Sequence, residues 1–200
     1  MKKILSILSL SAVIIILGLS SCSEDDGNKN SSSNNSDSQN SSSNNSDSQN
    51  SSKCIKCDDY EIGETFSIDG VTYTVADREM LDEALENGED MTKFCTSKVT
   101  DMSFMFTQLE SLNQDIGNWD VSNVTDMSFM FDGVTSFNQD IGSWDVSKVT
   151  DMGFMFSDAA SFNQDLTQWC VSNIDSEPSY FSFNSELTPE NHPVWGTCPE

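Results

Sequence analysis

The chain has 200 residues, with 9 basic and 33 acidic side chains, a formal charge of −24 and 36% hydrophobic residues. Such an imbalance argues against nucleic acid and against direct contact with acidic membrane surfaces, because both call for a basic footprint. Composition also changes so sharply along the chain that its zones are read separately.

Residues 1–21 have the order of a secretory signal peptide: Lys2 and Lys3, the apolar run ILSILSLSAVIIILGL, then small residues. The run is short for a membrane span, which needs about 20 residues. Its ending, LSSC at Cys22, resembles the lipobox of bacterial lipoproteins, which implies cleavage before Cys22 and acylation of its thiol and amine. The SEDD stretch that follows resembles the export signal that sends some Gram-negative lipoproteins to the outer face of the outer membrane. An outer-membrane lipoprotein exposed on the cell surface, touching the membrane only through its lipid, is therefore expected. Without residues 1–21 the balance is seven basic against 33 acidic, 7 − 33 = −26.

Residues 22–52 read as a disordered tether, since SSSNNSDSQN occurs twice in succession and offers no apolar residue to bury. About 30 such residues would span roughly 30 Å as a flexible coil.

Residues 53–93 read as an N-terminal cap. TFSIDGVTYTV is a hairpin pattern with Asp69 and Gly70 at its turn. Asp77 then caps a helix with Met80, Leu81, Ala84 and Leu85 inward, and Gly88 stops it.

Residues 94–174 are repeats. The copies read FCTSKVTDMSFMFTQLESLNQDIGN, WDVSNVTDMSFMFDGVTSFNQDIGS and WDVSKVTDMGFMFSDAASFNQDLTQ, and a fourth opens with WCVSNI. The second and third agree at 16 of 25 places without insertion, which points to stacked units. Ile116, Trp119, Val121 and Val124 are spaced like the strand turn of a leucine-rich repeat, as are Ile141, Trp144, Val146 and Val149. Met127, Met130, Phe131 and Val134 fall at i, i+3, i+4 and i+7, predicting a short helix started by Thr125 and Asp126. Met127, Phe129 and Phe131 also alternate as a strand would; four places match the helix against three for the strand, so the helix is preferred. The expected class is α/β: a short, capped, leucine-rich-repeat-like solenoid with one strand and one short helix per 25-residue unit.

Residues 175–200 read as a loop-rich C-terminal cap carrying Tyr180, Phe181, Phe183 and Trp195. Cys95 and Cys170 stand where the middle copies carry Asp120 and Asp145, that is, only at the two ends of the repeat block. This placement pairs Cys57 with Cys95 and Cys170 with Cys198, and leaves Cys54 unassigned; an exported chain keeps such bonds. A redox Cys54-x-x-Cys57 pair is the rival, against which no thioredoxin-like pattern surrounds it, and zinc lacks a second ligand pair.

Acidic residues recur in rows, Asp101, Asp126, Asp151; Asp115, Asp140, Asp165; and Asp120 with Asp145. Like charges on adjacent units invite calcium, for which Asp115, Asp140 and Asp165 are the candidates. No spacing matches a DxDxDG loop or the glycine-rich calcium nonapeptide, so the preferred reading has these acids holding helix starts and loop backbone, with no metal and no cofactor. The Asn113, Asn138, Asn163 and Gln114, Gln139, Gln164 rows read as ladders satisfying loop backbone, and Trp119, Trp144, Trp169 as core. Phe104, Phe129 and Phe154 lie off the helix's inner stripe. In solvent they would form a partner site, although packing against the adjoining copy is the simpler reading. Catalysis finds no support: the sole histidine, His192, sits between Asn191 and Pro193, and no nucleophile, base and orienting acid recur at recognisable spacing.

The WDVSNVTDMSFMF…FNQDI repeats, the VTYTVADREML lead-in and the WCVSN…PVWGTCP ending resemble, in order, the BspA-like leucine-rich-repeat surface proteins of bacteria. The resemblance implies a lipid-anchored solenoid for adhesion and recognition of an extracellular protein or glycan, with no enzymatic activity. The alternative is a structural envelope or surface-layer component that self-associates.

Overall fold

The computed structural model describes residues 54–199; the leader, Cys22 and the tether fall outside the described residues. Asp69 and Gly70 have φ of 51° and 80°, the pair of left-handed residues that a two-residue hairpin turn needs. They join β1 (Thr65–Ile68) to β2 (Val71–Val75) antiparallel, with Ile68 opposite Val71. In α1 (Arg78–Glu86), Asp77 Oδ1 accepts from the Met80 N–H at 3.0 Å. The helix ends at Gly88, φ 70°, where the Glu89 N–H donates back to the Ala84 carbonyl. Leu81 and Ala84 are buried, and Met80 and Leu85 pack beside them. A 3-10 turn, Met91–Lys93, leads to β3 (Phe94–Cys95), which runs parallel to β2 and completes a sheet ordered β1-β2-β3.

Beyond β3 the described chain has no α-helix and no strand, only isolated parallel bridges, Asp101 to Asp126 and Asp126 to Asp151, and a final 3-10 turn, Pro189–Asn191. Its order comes instead from one copy bonding the next. The N–H groups of Met102, Phe104, Phe106 and Gln108 donate to the carbonyls of Asp126, Ser128, Met130 and Asp132; those of Met127, Phe129, Phe131 and Gly133 donate to Asp151, Gly153, Met155 and Ser157. The intervening N–H groups close local turns instead, Met130 to Met127, Asp132 to Phe129 and Val134 to Phe131. On the opposite side Thr125 donates to the Thr100 carbonyl and Thr150 to that of Thr125.

The segment expected as a helix, residues 127–134, is therefore a chain of linked turns. A helix would spend every N–H on the carbonyl four residues back; here alternate donors face the neighbouring copy. Left-handed residues at two places per copy make this possible, Phe129 at 58° and Gly133 at 72° in the second. The segment expected as a strand around Val121 is likewise turns and irregular chain. The inward stripe itself is as the spacing places it: Met127, Met130, Phe131 and Val134 are all buried.

Equivalent side chains form continuous buried rows. Phe106 meets Phe131 at 5.4 Å between ring centroids and Phe131 meets Phe156 at 5.5 Å, while Phe137 and Phe162 stack against Phe131 and Phe156 at 4.4 and 4.1 Å. Trp119, Trp144 and Trp169 are buried, each indole donating to the carbonyl 28 residues earlier: Met91, Ile116 and Ile141. This bond satisfies the one polar atom of a buried indole.

Disulfides close both ends, Cys57–Cys95 and Cys170–Cys198, with Cα atoms 6.3 and 3.9 Å apart. The first rules out the Cys54-x-x-Cys57 bridge, and no described cysteine is free. Loops of 38 and 28 residues correspond to about 4 kcal/mol each of chain entropy removed from the unfolded state. At the front, the Cys57 N–H donates to Ser97 Oγ, which donates to the buried Asp120 carboxylate at 2.7 Å, joining cap to stack.

Close approach between copies leaves no room at Gly117 and Gly142, where a Cβ would lie 2.5 Å from the carbonyl oxygens of Asp140 and Asp165. Gly117→Ala is expected to destabilise the fold by about 1–3 kcal/mol, read as a lower denaturant midpoint at unchanged slope. An unchanged midpoint would mean that the copies are not held this tightly.

Candidate functional site: an aromatic row beside an acidic row

Each copy places one aromatic residue on the same edge of the stack. Phe104, Phe129, Phe154 and Tyr180 have φ of 57°, 58°, 58° and 54°, a region that bulky L-residues rarely occupy and that costs of order 1 kcal/mol each. Their rings stack face to face, with centroids 4.5, 4.6 and 4.8 Å apart and planes within 7°, 6° and 22°. Phe104 and Tyr180 at the ends are 55% and 56% exposed, whereas Phe129 and Phe154 between them are half-buried. The three sequence candidates thus lie side by side. Each packs on the adjoining copy and still presents its ring edge to solvent.

Sequence reasoning missed Tyr180, which it assigned to the covering lid. The fourth copy carries one extra residue: Phe104 and Phe129 donate to carbonyls 24 places on, Ser128 and Gly153, whereas Phe154 donates 25 places on, to Ser179. A strict 25-residue alignment puts Ser179, not Tyr180, in the row. Phe183 meets Tyr180 edge to face at 5.4 Å and is 57% exposed, so of the supposed lid aromatics Phe181 alone is fully buried, while Trp195 packs against the core part-exposed.

Three residues before each aromatic stands an acid: Asp101, Asp126, Asp151 and Glu177. Asp101 Oδ1 accepts from the Ser103 N–H and hydroxyl at 2.8 and 2.7 Å, Asp126 Oδ1 from those of Ser128 at the same distances, and Asp151 Oδ1 from the Gly153 N–H at 2.8 Å. These bonds start the turn that carries the aromatic residue. At Asp101 the Ser103 hydroxyl above all, then its N–H and the Arg78 guanidinium, hold the pKa below its ordinary value against the opposing effect of burial. Arg78 is the cation at this row, 3.9 Å from Asp101 at its front end. Lys93, Lys98 and Lys148 are engaged elsewhere, by Asp90, the Asp58 carbonyl and Asn123.

The remaining rows serve the stack. Asn113 Oδ1 accepts from the Asn138 N–H and the Gln139 amide, Asn138 Oδ1 from Asn163 and Gln164, and Asn163 Oδ1 from Thr188 and Asn191. Asp115, Asp140 and Asp165 each accept the N–H two residues on, at Gly117, Gly142 and Thr167. Asp120 and Asp145 do the same with Ser122 and Ser147. Among the described residues no group of three or more His, Cys, Asp or Glu is placed to hold a metal ion.

Ser182, His192 and Glu177 come together at the rear. Ser182 Oγ lies 3.2 Å from His192 Nε2, but Glu177 Oε1 is 3.8 Å from Nδ1. The second distance is longer than a hydrogen bond, and the His192 ring packs edge to face on Phe181 at 5.6 Å.

Thr92 and Thr167, through side chain and backbone N–H, lower the pKa of Asp90 and Asp165 as Ser103 lowers that of Asp101. A carboxyl whose folded pKa lies below its unfolded one stabilises the fold above the unfolded value and loses that contribution as pH falls through the folded one. Unfolding midpoints are therefore expected to stay level from neutrality to about pH 4 and to drop below it. Asp101→Asn should reduce the drop. A midpoint independent of pH down to about 2 would contradict the assignment.

The profile of a family described as "Mycoplasma protein of unknown function, DUF285" matches residues 77–193, from the cap of α1 through the last copy. Comparisons with curated proteins and with solved structures gave no match. More than half of the chain lies within the family match, and the chain belongs to this DUF285 family.

Proposed function

We propose that this chain is a lipid-anchored bacterial surface protein, held off the membrane by the residue 22–52 tether, whose stacked copies form a short leucine-rich-repeat-like solenoid that recognises an extracellular partner. The observation carrying the reading is the row of Phe104, Phe129, Phe154 and Tyr180, kept in left-handed backbone and still edge-exposed. Packing alone does not require it: a glycine at these positions would remove the strain, as Gly133 does four places further on. An aromatic strip rimmed by carboxylates is a surface for recognition rather than for solubility.

The chemistry of the row narrows the partner. Ring faces are covered by neighbouring rings at 4.5–4.8 Å, so stacking a sugar on a face is available only at the row's ends. Edges beside carboxylates suit hydrocarbon stems ending in cations, and a polypeptide supplies these more readily than a neutral glycan. Anionic partners are opposed by the charge of the row.

Two measurements test the proposal. Protease treatment of intact cells is expected to release peptides of residues 53–200, and protection until lysis would place the domain inside the envelope. Replacing Phe104, Phe129 and Phe154 together by Ser is expected to abolish saturable capture of extracellular material. Three stacked pairs are lost, at roughly 0.5–1.5 kcal/mol each, so circular dichroism must show the variant folded. Phe104→Ser, which removes one pair, is the milder companion. Capture undiminished in both folded variants would end this reading.

A further inference from the structure

The stack is closed at one end and open at the other. At the front, the carbonyls of Asp101 and Ser103 face away from the following copy and are capped by the Arg78 guanidinium, at 3.3 and 2.9 Å. At the rear, Phe154, Phe156 and Asp158 donate to the carbonyls of Ser179, Phe181 and Phe183, and no further copy stacks on these among the described residues. Tyr180, Ser182 and Asn184 stand where Phe129, Phe131 and Gly133 stand in the second copy, at the places whose N–H groups point onward along the stack. None of these three N–H groups donates to any described residue.

Beside this row of donors is an open depression of about 310 Å³ lined by Glu177, Pro178, Tyr180, Phe181, Ser182 and Phe183. Two of its aromatics, Tyr180 and Phe183, are more than half exposed, and the Glu177 side chain is 53% exposed at its rim. Alternate backbone donors, an aromatic recess and a carboxylate thus lie within one short segment.

We propose that this rear end docks an extended segment of a foreign polypeptide, whose alternate carbonyls accept from Tyr180, Ser182 and Asn184, whose apolar side chain enters the depression that Tyr180, Phe181 and Phe183 line, and whose Lys or Arg meets Glu177. Backbone pairing at an open edge supplies the register, and the recess and carboxylate supply the selectivity. A second copy does not fit. Two rear ends present donors to donors; a rear end meeting a front end finds the Asp101 and Ser103 carbonyls already taken by Arg78; and both surfaces belong to an acidic chain. The inference rests on the recognition reading for its foreign partner and shares Tyr180 and Glu177 with the ends of the two rows, but it uses the end of the stack and not its side.

The test is a titration of the isotope-labelled mature chain, followed at each backbone amide, with the blocked peptide KTKFKTK and with ETEFETE as its charge-reversed counterpart. The basic peptide is expected to shift the amides of Tyr180, Ser182 and Asn184 and to slow their hydrogen exchange, and the acidic one to leave them unmoved. Tyr180→Ser and Glu177→Gln should each weaken binding roughly tenfold, Tyr180→Phe should retain it, and Ile68→Thr, exposed in the front hairpin, should leave it unchanged. The inference is overturned by shifts confined to Phe104 and Phe129, by equal binding of both peptides, or by no binding at millimolar concentration. It is also overturned if sedimentation shows self-association that Arg78→Ala strengthens. Capture lost in the Phe-to-Ser variants while the peptide still binds would separate the two sites; peptide binding lost with capture intact would remove this inference alone.

Discussion

The structure depends on one arrangement of backbone donors. In residues 102–108 and 127–133 every second N–H reaches across to the next copy and the others close turns within their own. No strand of useful length forms, yet the copies are bonded as strands in a sheet are, and equivalent rings 4.5–5.5 Å apart reflect the spacing of a β-ladder. The spacing inside the bonded segment is then constrained, since one residue more or less within it would place odd donors where even ones belong; the extra residue of the fourth copy lies ahead of it, and Phe154, Phe156 and Asp158 still reach Ser179, Phe181 and Phe183. The strictness of the WDVSNVTDMSFMF repeat follows from that requirement. So do Gly117 and Gly142, which let one coil's backbone lie against the next, and the left-handed residues that turn alternate donors outward.

Along the turn segment such a stack leaves unlike ends, carbonyls at one and N–H groups at the other. Capping the carbonyls needs a donor, and α1 places Arg78 there with Nη1 donating to two of them, while its Nε donates to Asp82 at 2.8 Å. β2, β3 and the Cys57–Cys95 bond fix the helix to the first copy. The rear end is tied by Cys170–Cys198 and by the Val171 N–H donating to Thr197. The tail also packs His192 and Trp195 on Phe181, while the N–H groups of Tyr180, Ser182 and Asn184 donate to no described residue. The family match, residues 77–193, begins and ends with this closed front and open rear.

Much of the interior was legible in the sequence because burial has a period whatever the backbone does. Met127, Met130, Phe131 and Val134 point inward in a helix and in linked turns alike, so spacing identified the buried side chains and not the conformation. The deciding bonds join residues 24 apart, and no local pattern records them. A hint was present in residue type: the place of Gly133 is taken by Gln108, Asp158 and Asn184, and glycine, asparagine and aspartate tolerate left-handed backbone where a helix interior would disfavour them. Phe129 gave the opposite hint, because an aromatic residue is a poor occupant of that region. The disulfide partners were legible since Cys95 and Cys170 interrupt a repeat that otherwise carries aspartate. Tyr180 was not, because one inserted residue moves it out of a fixed-period alignment.

The acidity of the rows has a physical logic of its own. Asparagine could accept the same N–H bonds as Asp101, Asp126 and Asp151 without repulsion between copies. Carboxylates at ladder spacing repel by about 1 kcal/mol per pair in water. Each is also held by donors from its own loop, and hydrogen bonds to a charged group contribute about 1.5–3 kcal/mol, so the charge is tolerated locally. What it provides is felt between molecules. A stack of short coils with an open row of donors is a template for pairing with its own kind, and charge beside an edge is a standard protection against that. Here Glu177 sits next to the open donors and continues the row that begins at Asp101. The same carboxylates that turn away another copy of an acidic chain lower the barrier to a cationic one, so exclusion and selectivity at this end arise from a single electrostatic feature.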